Sequence, residues 1–484
     1  MICEGGSSKE TGDRCEESRD DRDNYVHTPM VQKSSTEERN TTQPTGEFSS
    51  AAVPIKNFDE MLGEILDVIP DANEQDVRKK LLATSSVEET LDWMLEQQNT
   101  IYQNSVMLKD LDPSEALETF RQATIMKLPY QTIRINRDSP HFIREVFKLF
   151  KKGIDVKKAP DVEFEGEDGM DASGLTREYL YLLMSKIRGG DGTTVLFEGQ
   201  PGHLSPLYDV DCLDSGFYFF VGQALAQSFL HGGYPFVGMS QAVAHYIITD
   251  DIDESIPFLA VEDIPDPEVR DVLKKIARAS KDEDFQNLNA DEGVSNLLIQ
   301  CGFVNKLLNK QNSQQACQRV LVHQVLMYKK DPIQEIRRGL QTASITSFLK
   351  DHPALWKTIF ATAADVKLQS DLVVRSLKCD PSVGELNEQQ ETILNWCKEY
   401  VGNLPSDTES DSSTIEKFVQ FVFGEPTMPP QPVYVKFNRP GKSLPDADAC
   451  TGTISLPIDH KMKKDFTKSL DIVLNFQHKG FGRC

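Results

Sequence analysis

Apolar residues recur at helical spacing in some stretches of the chain and at strand spacing in others, and polar runs separate the two. Phe58, Met61, Leu62, Ile65 and Leu66 share one helical face that stops at Pro70. A second short helix runs through Val77, Leu81 and Leu82. A third opens with a Ser86-x-x-Glu89 capping box and carries Val87, Leu91, Met94 and Leu95 on one side. Residues 53–98 therefore read as a three-helix module with a core of marginal size. Residues 99–131 read as a connector with one helix, capped by Asp112 with Pro113 at its first position. From Thr132 the pattern becomes mixed. Phe142, Ile143, Val146, Phe147 and Phe150 mark an amphipathic helix. Val162-Glu-Phe-Glu alternates as a strand, and Phe217, Phe220, Ala224 and Leu225 have the spacing of a buried helix face. Near the end, a helix with Ile393, Trp396 and Tyr400 precedes Phe418-Val-Gln-Phe-Val-Phe. Two alternating strands follow, around Val433, Val435 and Phe437 and then Thr453 to Leu456. A last helix runs through Met462, Phe466, Leu470 and Leu474.

Composition narrows the possibilities. Residues 1–52 are charged, with Tyr25 and Phe48 as their only aromatics, and are expected to form a disordered tail. A formal net charge of −23 argues against the basic faces that nucleic-acid binding needs. No run approaches 18 apolar residues and the N-terminus has no apolar signal region. A soluble protein of the cytoplasm or nucleus is expected, with no membrane contact. Nine cysteines are scattered without a CxxC pair, so neither a disulfide framework nor a zinc site is indicated. No metal and no cofactor is expected. The glycines at 166, 169 and 174 sit in a strand-to-helix connection, but Glu165, Glu167, Asp168 and Asp171 would repel a phosphate there.

Cys450 is the candidate reactive group. It lies in the polar run Leu444-Pro-Asp-Ala-Asp-Ala-Cys-Thr-Gly452, between the two alternating strands. An isolated cysteine is more often an inert buried residue. A loop on a strand scaffold, in contrast, exposes a thiol as a nucleophile requires. A cysteine-protease reading needs a histidine base; His460 and His478 are near in sequence but lack an Asn or Asp orienter in a protease-like motif.

Leu444-Pro445, Cys450, Leu456-Pro457, the amphipathic helix and Gly480-Phe-Gly482 resemble the C-terminal lobe of HECT-type ubiquitin ligases. Val162-x-Phe-x-Gly-Glu-x-Gly-x-Asp, Gly174-Leu-Thr-Arg-Glu178 and Phe217-Tyr-Phe-Phe-Val-Gly-Gln-Ala-Leu-Ala resemble that family's N-lobe. The resemblance implies an α+β fold: a bilobal HECT-like domain with a mostly helical N-lobe at 132–384 and a smaller α/β C-lobe at 385–484. Within the N-lobe, 250–312 would dock a ubiquitin-conjugating enzyme, with Phe258 and Phe285 as aromatic candidates. The polar stretch 379–385 would be the hinge. Cys450 would accept ubiquitin as a thioester and pass it to a lysine of a protein substrate. Phe481 and Asp448 would assist transfer, whereas Arg177, Glu178 and His231 would be structural. The chain has Asp448-Ala449 and Thr451-Gly452 where the family has His-Thr and Phe-Asn around its cysteine. That difference keeps a second reading open, a pseudoligase that binds ubiquitin as an adaptor. Residues 53–98 resemble the CUE/UBA-like type of ubiquitin-binding module. By that resemblance Val68, Ile69, Pro70, Met94 and Leu95 would contact ubiquitin; the alternative is a spacer whose apolar residues are only core.

Overall fold

The computed structural model describes residues 57–69, 74–95, 108–109, 111–167, 174–304, 306–406, 413–428 and 431–476. Its elements are helices mixed with short strands, and its buried apolar residues form three separate cores. Among the described residues no helix is long and apolar enough to cross a membrane. The expected tail at 1–52 lies outside the described residues.

The smallest core belongs to helices α1 (Phe58–Val68), α2 (Glu74–Thr84) and α3 (87–95). They enclose Leu62, Ile65, Ile69, Val77, Leu81 and Met94. The helical spacing read from the sequence is what puts these residues on facing sides. Ser86 Oγ accepts from the Glu89 amide at 3.2 Å, the N-cap bond expected of the capping box.

The largest core starts earlier than the sequence pattern indicated. Helix α4 (Pro113–Thr124) begins where Asp112 accepts from the Ser114 amide at 2.9 Å, with Pro113 in the first turn. Its Ala116 is fully buried in this core, and Arg121 donates to the Phe229 carbonyl at 2.6 and 2.9 Å. The segment expected to be a connector is thus partly an element of the core. Strand β1 (Met126–Ile135) pairs in parallel with β2 (Lys158–Phe164), and α5 (Phe142–Lys151) joins them, burying Phe142, Ile143, Val146 and Phe150. Helix α6 (Gly174–Gly189) follows, then α7 (Phe217–Leu230), which is buried almost all round. It crosses α8 (Lys330–Gln341) at near backbone contact: a side-chain carbon on Gly222 would lie 2.0 Å from the Ile336 carbonyl oxygen. His231 bonds the Val156 carbonyl at 2.9 Å, in keeping with a structural role.

The second core gathers Leu368, Val373 and Leu377 with residues up to Leu474. A four-stranded sheet lies at its centre in the order β3 (Leu377–Cys379), β4 (Val433–Phe437), β6 (Thr453–Leu456), β5 (Asp446–Asp448). The first three strands are parallel, and β5 runs antiparallel to β6. Helices α9 (Glu388–Gly402), α10 (Ile415–Phe423) and α11 (Lys463–Phe476) cover Val433, Val435, Ile454 and Leu456.

The passage between these two cores is residues 362–367, between the short strand Phe360–Ala361 and Leu368. The stretch 379–385, the expected hinge, comes after Leu368, Val373 and Leu377 of the second core. Cys379 pairs with Val435 on β4, and the Asp380 amide donates to the Val435 carbonyl at 3.0 Å. Asp380 also accepts from the Ser382 amide at 2.8 Å and pairs with Lys436 at 3.3 Å. These backbone bonds tie Cys379 and Asp380 to the second core's sheet.

Candidate functional site

Cys450 occupies a tight hairpin turn. Asp448 on β5 faces Thr453 on β6, which leaves 449–452 as a four-residue connection. Three residues of the loop expected between the apolar alternations, 446–448, form a strand instead. The Asp448 carboxylate accepts from the Cys450 amide at 3.0 Å and from the Thr451 amide at 3.4 Å. It thus serves as a turn clamp, the side-chain-to-backbone pattern that makes aspartate common in turns. Asp446 instead pairs with Lys442 at 2.7 Å on the exposed surface. Gly452, at φ 63°, closes the turn, and a side-chain carbon there would lie 2.3 Å from the Phe423 ring. The turn therefore rests on the last residue of α10.

The first core meets this turn at the tip of α6. A side-chain carbon on Gly174 would lie 3.0 Å from Cys450 Sγ, 3.1 Å from Ala449 Cβ and 3.1 Å from the Cys450 amide nitrogen. One turn along, the Arg177 guanidinium donates through Nε to the Phe423 carbonyl at 3.0 Å and through Nη2 to the Ala449 carbonyl. Gly424 caps α10 with φ 86°, and a side-chain carbon there would lie 3.0 Å from the Gly174 carbonyl oxygen. Beside it, Glu425 is buried. Burial pushes its carboxyl up to about 7, against the pull of Arg177 and a hydrogen bond from Thr427. Glu178 is held differently: Arg137 donates to Glu178 and, at 2.8 Å, to Glu167. Burial still raises the Glu178 carboxyl to about 7 in spite of Arg137. Glu178 is thus a scaffold residue as expected, whereas Arg177 reaches across to the cysteine turn. Sequence reasoning had no access to that role, because both acceptors are backbone carbonyls far along the chain.

Four of the other described cysteines differ in setting. Burial pushes the Cys397 thiol up to about 12 and the Cys212 thiol up to about 11, and it also raises Cys301 and Cys317. Such thiols are poor nucleophiles. Cys450 is half-buried at a turn. His460 bonds the Ser443 carbonyl at 2.8 Å and packs on Phe466, so its Nε2 is occupied within its own loop. Phe481 and His478 lie outside the described residues.

The residues expected to touch ubiquitin in the helical module divide. Ile69 and Met94 are buried in its core. Val68 and Leu95 are exposed, as is Leu82, which the sequence pattern had assigned to the helix without a role. Pro70 lies outside the described residues. In the 250–312 segment, Phe285 is core, whereas Phe258 is exposed and stacks on His245 with ring centroids 4.5 Å apart. A groove of about 280 Å³ opens in the same segment among Asn289, Ser295, Leu298, Ile299, Phe303, Lys306 and Leu307. Ile299 and Leu307 are exposed at its edge, and Asn289 holds the far loop by bonding both backbone groups of Leu308, at 2.8 and 2.9 Å.

No protein-family model matches the chain. A stretch of 77 residues is 40% identical to a protein of Schizosaccharomyces pombe named probable E3 ubiquitin-protein ligase mug30. That stretch is 15% of this chain and 9% of the yeast protein's length.

Proposed function

We propose that the chain is a HECT-type ubiquitin ligase that carries ubiquitin on Cys450. The observation that carries this reading is the cysteine's position: a half-buried thiol in a clamped hairpin turn, on a separately cored unit joined to the rest through residues 362–367. Partial similarity to a protein named a probable ubiquitin ligase supports the same class. In this reading the Cys450 thiolate attacks the carbonyl carbon of the ubiquitin thioester held by a conjugating enzyme. A carbon–sulfur bond forms to Cys450, and the conjugating enzyme leaves as its thiolate. A lysine amine of the substrate then attacks the new thioester, giving an isopeptide bond, the free Cys450 thiolate and a proton released to solvent. Thiol exchange is close to isoenergetic and needs no cofactor. Asp448 contributes by fixing the two amides at the head of the turn.

The conjugating enzyme docks, in this reading, at the groove edged by Ile299 and Leu307, since exposed apolar residues around a concave site are what a partner's side chain can fill. The test of the whole reading is incubation of the purified chain with activating enzyme, ubiquitin and a panel of conjugating enzymes. A ubiquitin adduct that disappears on reduction is the expected result. Absence of any adduct with every conjugating enzyme overturns it in favour of the ubiquitin-binding adaptor, a reading favoured by the packing of the thiol against Gly174.

Two further outcomes are expected. Ubiquitin binding by the helical module rests, in this reading, on Val68 and Leu95, with Leu82 as a further exposed apolar residue of the module. Titration of labelled ubiquitin with the full chain should show weak binding, on the order of 10–1000 μM, since a small apolar patch leaves little surplus over association entropy. The double change Val68→Asp, Leu95→Asp should remove that binding with little effect on the melting temperature. Met94→Ala should instead destabilise the module by about 2–5 kcal/mol. No shifts at millimolar concentration would make the module a spacer. The second outcome concerns Phe481, which lies between two glycines beyond α11. Phe481→Ala should preserve the adduct but slow transfer to lysine in a single-turnover chase; an unchanged chase removes Phe481 from the reaction.

A further inference from the structure

We infer that Arg177 is a positioning residue that latches the cysteine turn onto the first core and shields the thiol from protein-sized electrophiles until the latch opens. The inference rests on the reading of Cys450 as the reactive group.

Three independent features of the contact point the same way. Arg177 spans two elements of the second unit at once, the end of α10 at Phe423 and the turn at Ala449. A guanidinium suits this because its donors lie in one rigid plane and can serve two acceptors together. Gly174 and Gly424 then bring the two backbones to within a side-chain carbon's reach of each other. Gly424 needs its left-handed φ of 86° as a helix cap in any case. Gly174 has no such need, so its lack of a side chain serves the approach of Cys450 and Ala449. Finally, the contact joins units with separate cores that are linked through the short segment 362–367, so it can open without exposing either core.

The consequence for the thiol is geometric. One side of Sγ is closed by the α6 tip and the turn beneath is closed by Phe423. A small reagent can still reach a half-buried sulfur, but a folded partner carrying a thioester needs the side that α6 occupies. The same contact that orders the turn therefore has to be released before a large electrophile arrives.

The test is alkylation of the full chain by a polyethylene-glycol maleimide and, separately, by iodoacetamide, with modification read at each cysteine by mass spectrometry. Arg177→Ala should raise the rate at Cys450 with the bulky reagent by about tenfold or more, since the charge-assisted hydrogen bonds to Phe423 and Ala449 are lost together. The small reagent should respond much less. Arg177→Lys keeps a donor for one carbonyl and should fall between. Gly174→Ala keeps the Arg177 side chain and strains nothing in its own helix, but its methyl has room only if the turn at Ala449 and Cys450 is pushed away from α6; that displacement loosens the latch and should speed the bulky reagent as well. Cys397, buried in the second core, reports unfolding and should stay unmodified in all variants. Equal rates at Cys450 in the parent, Arg177→Ala and Gly174→Ala proteins overturn the latch, as does acceleration that is matched at Cys397. If the variants open as expected but no ubiquitin adduct forms on any of them, the acceptor reading of Cys450 fails and the latch stands.

Discussion

Replacing Cys450 by alanine is expected to abolish the reductant-sensitive ubiquitin adduct and to leave the fold intact. The turn does not depend on its sulfur. Asp448 clamps it through backbone amides that alanine retains, Gly452 supplies the one left-handed residue, and Arg177 grips the Ala449 carbonyl. Loss of a half-buried sulfur from such a setting should change stability by no more than about 1 kcal/mol. Cys450→Ser makes the result sharper: a hydroxyl in the same place would form an oxygen ester, which resists thiol reductants but is cleaved by alkali. Cys379→Ala is the control, since Cys379 is also half-buried but lies along β3 rather than at a turn. An adduct that survives in Cys450→Ala would move the acceptor to another residue and dissolve the functional site as described.

The parts of this fold that the sequence foretold are those in which side-chain burial sets the element. Helix α5 buries Phe142, Ile143, Val146 and Phe150 because that spacing leaves no other way to cover them. The same holds for α7 and for β4, whose Val433 and Val435 alternate inward. The cap at Asp112 with Pro113 was equally legible, since the chemistry is local.

What the sequence hid depends on contacts made at long range. Asp446-Ala-Asp448 has no apolar signal, and it becomes a strand because β6 offers it a free edge. Cys379-Asp-Pro has the composition of a linker, yet its backbone is claimed by β4. In the helical module, Ile69 and Met94 looked like exposed ends of helices and were drawn into a core too small to spare them. Phe285 looked like a docking residue for the same reason that makes it core: it is the one aromatic of its helix. Arg177 is the clearest case. Its two acceptors lie 246 and 272 residues away, and they are main-chain carbonyls, which any residue would present. No pattern of residue types could have announced that bond.

Glu425 makes the closed contact sensitive to pH, and the sign can be worked out. Its carboxyl is buried where the two cores meet, facing Arg177 on α6 and bonded by Thr427. Tyr234, whose phenol burial raises to about 12 with help from Tyr181 and against the pull of Arg188, feels Glu425 and Glu416 as further repulsion. Glu425 titrates near 7 rather than at its ordinary 4.5, so the folded state keeps a proton that the unfolded chain gives up. Its contribution to stability is therefore full below about pH 4.5 and is lost as pH rises through 7. A shift of that size corresponds to a loss of about 3 kcal/mol by pH 8, as an upper figure. Glu425→Gln keeps the shape and cannot ionise. The variant should match the parent in melting temperature at pH 5 and exceed it by several degrees at pH 8, with some fall remaining from Glu178, which burial raises in the same way. If the Arg177–Glu425 attraction instead outweighs desolvation, the variant will be less stable than the parent at pH 8, because a half-buried guanidinium will have lost its counter-charge. Unfolding curves for both proteins between pH 5 and 8 separate the two cases: only a parent that loses stability relative to the Glu425→Gln variant as pH rises is consistent with a carboxyl held protonated at the seam.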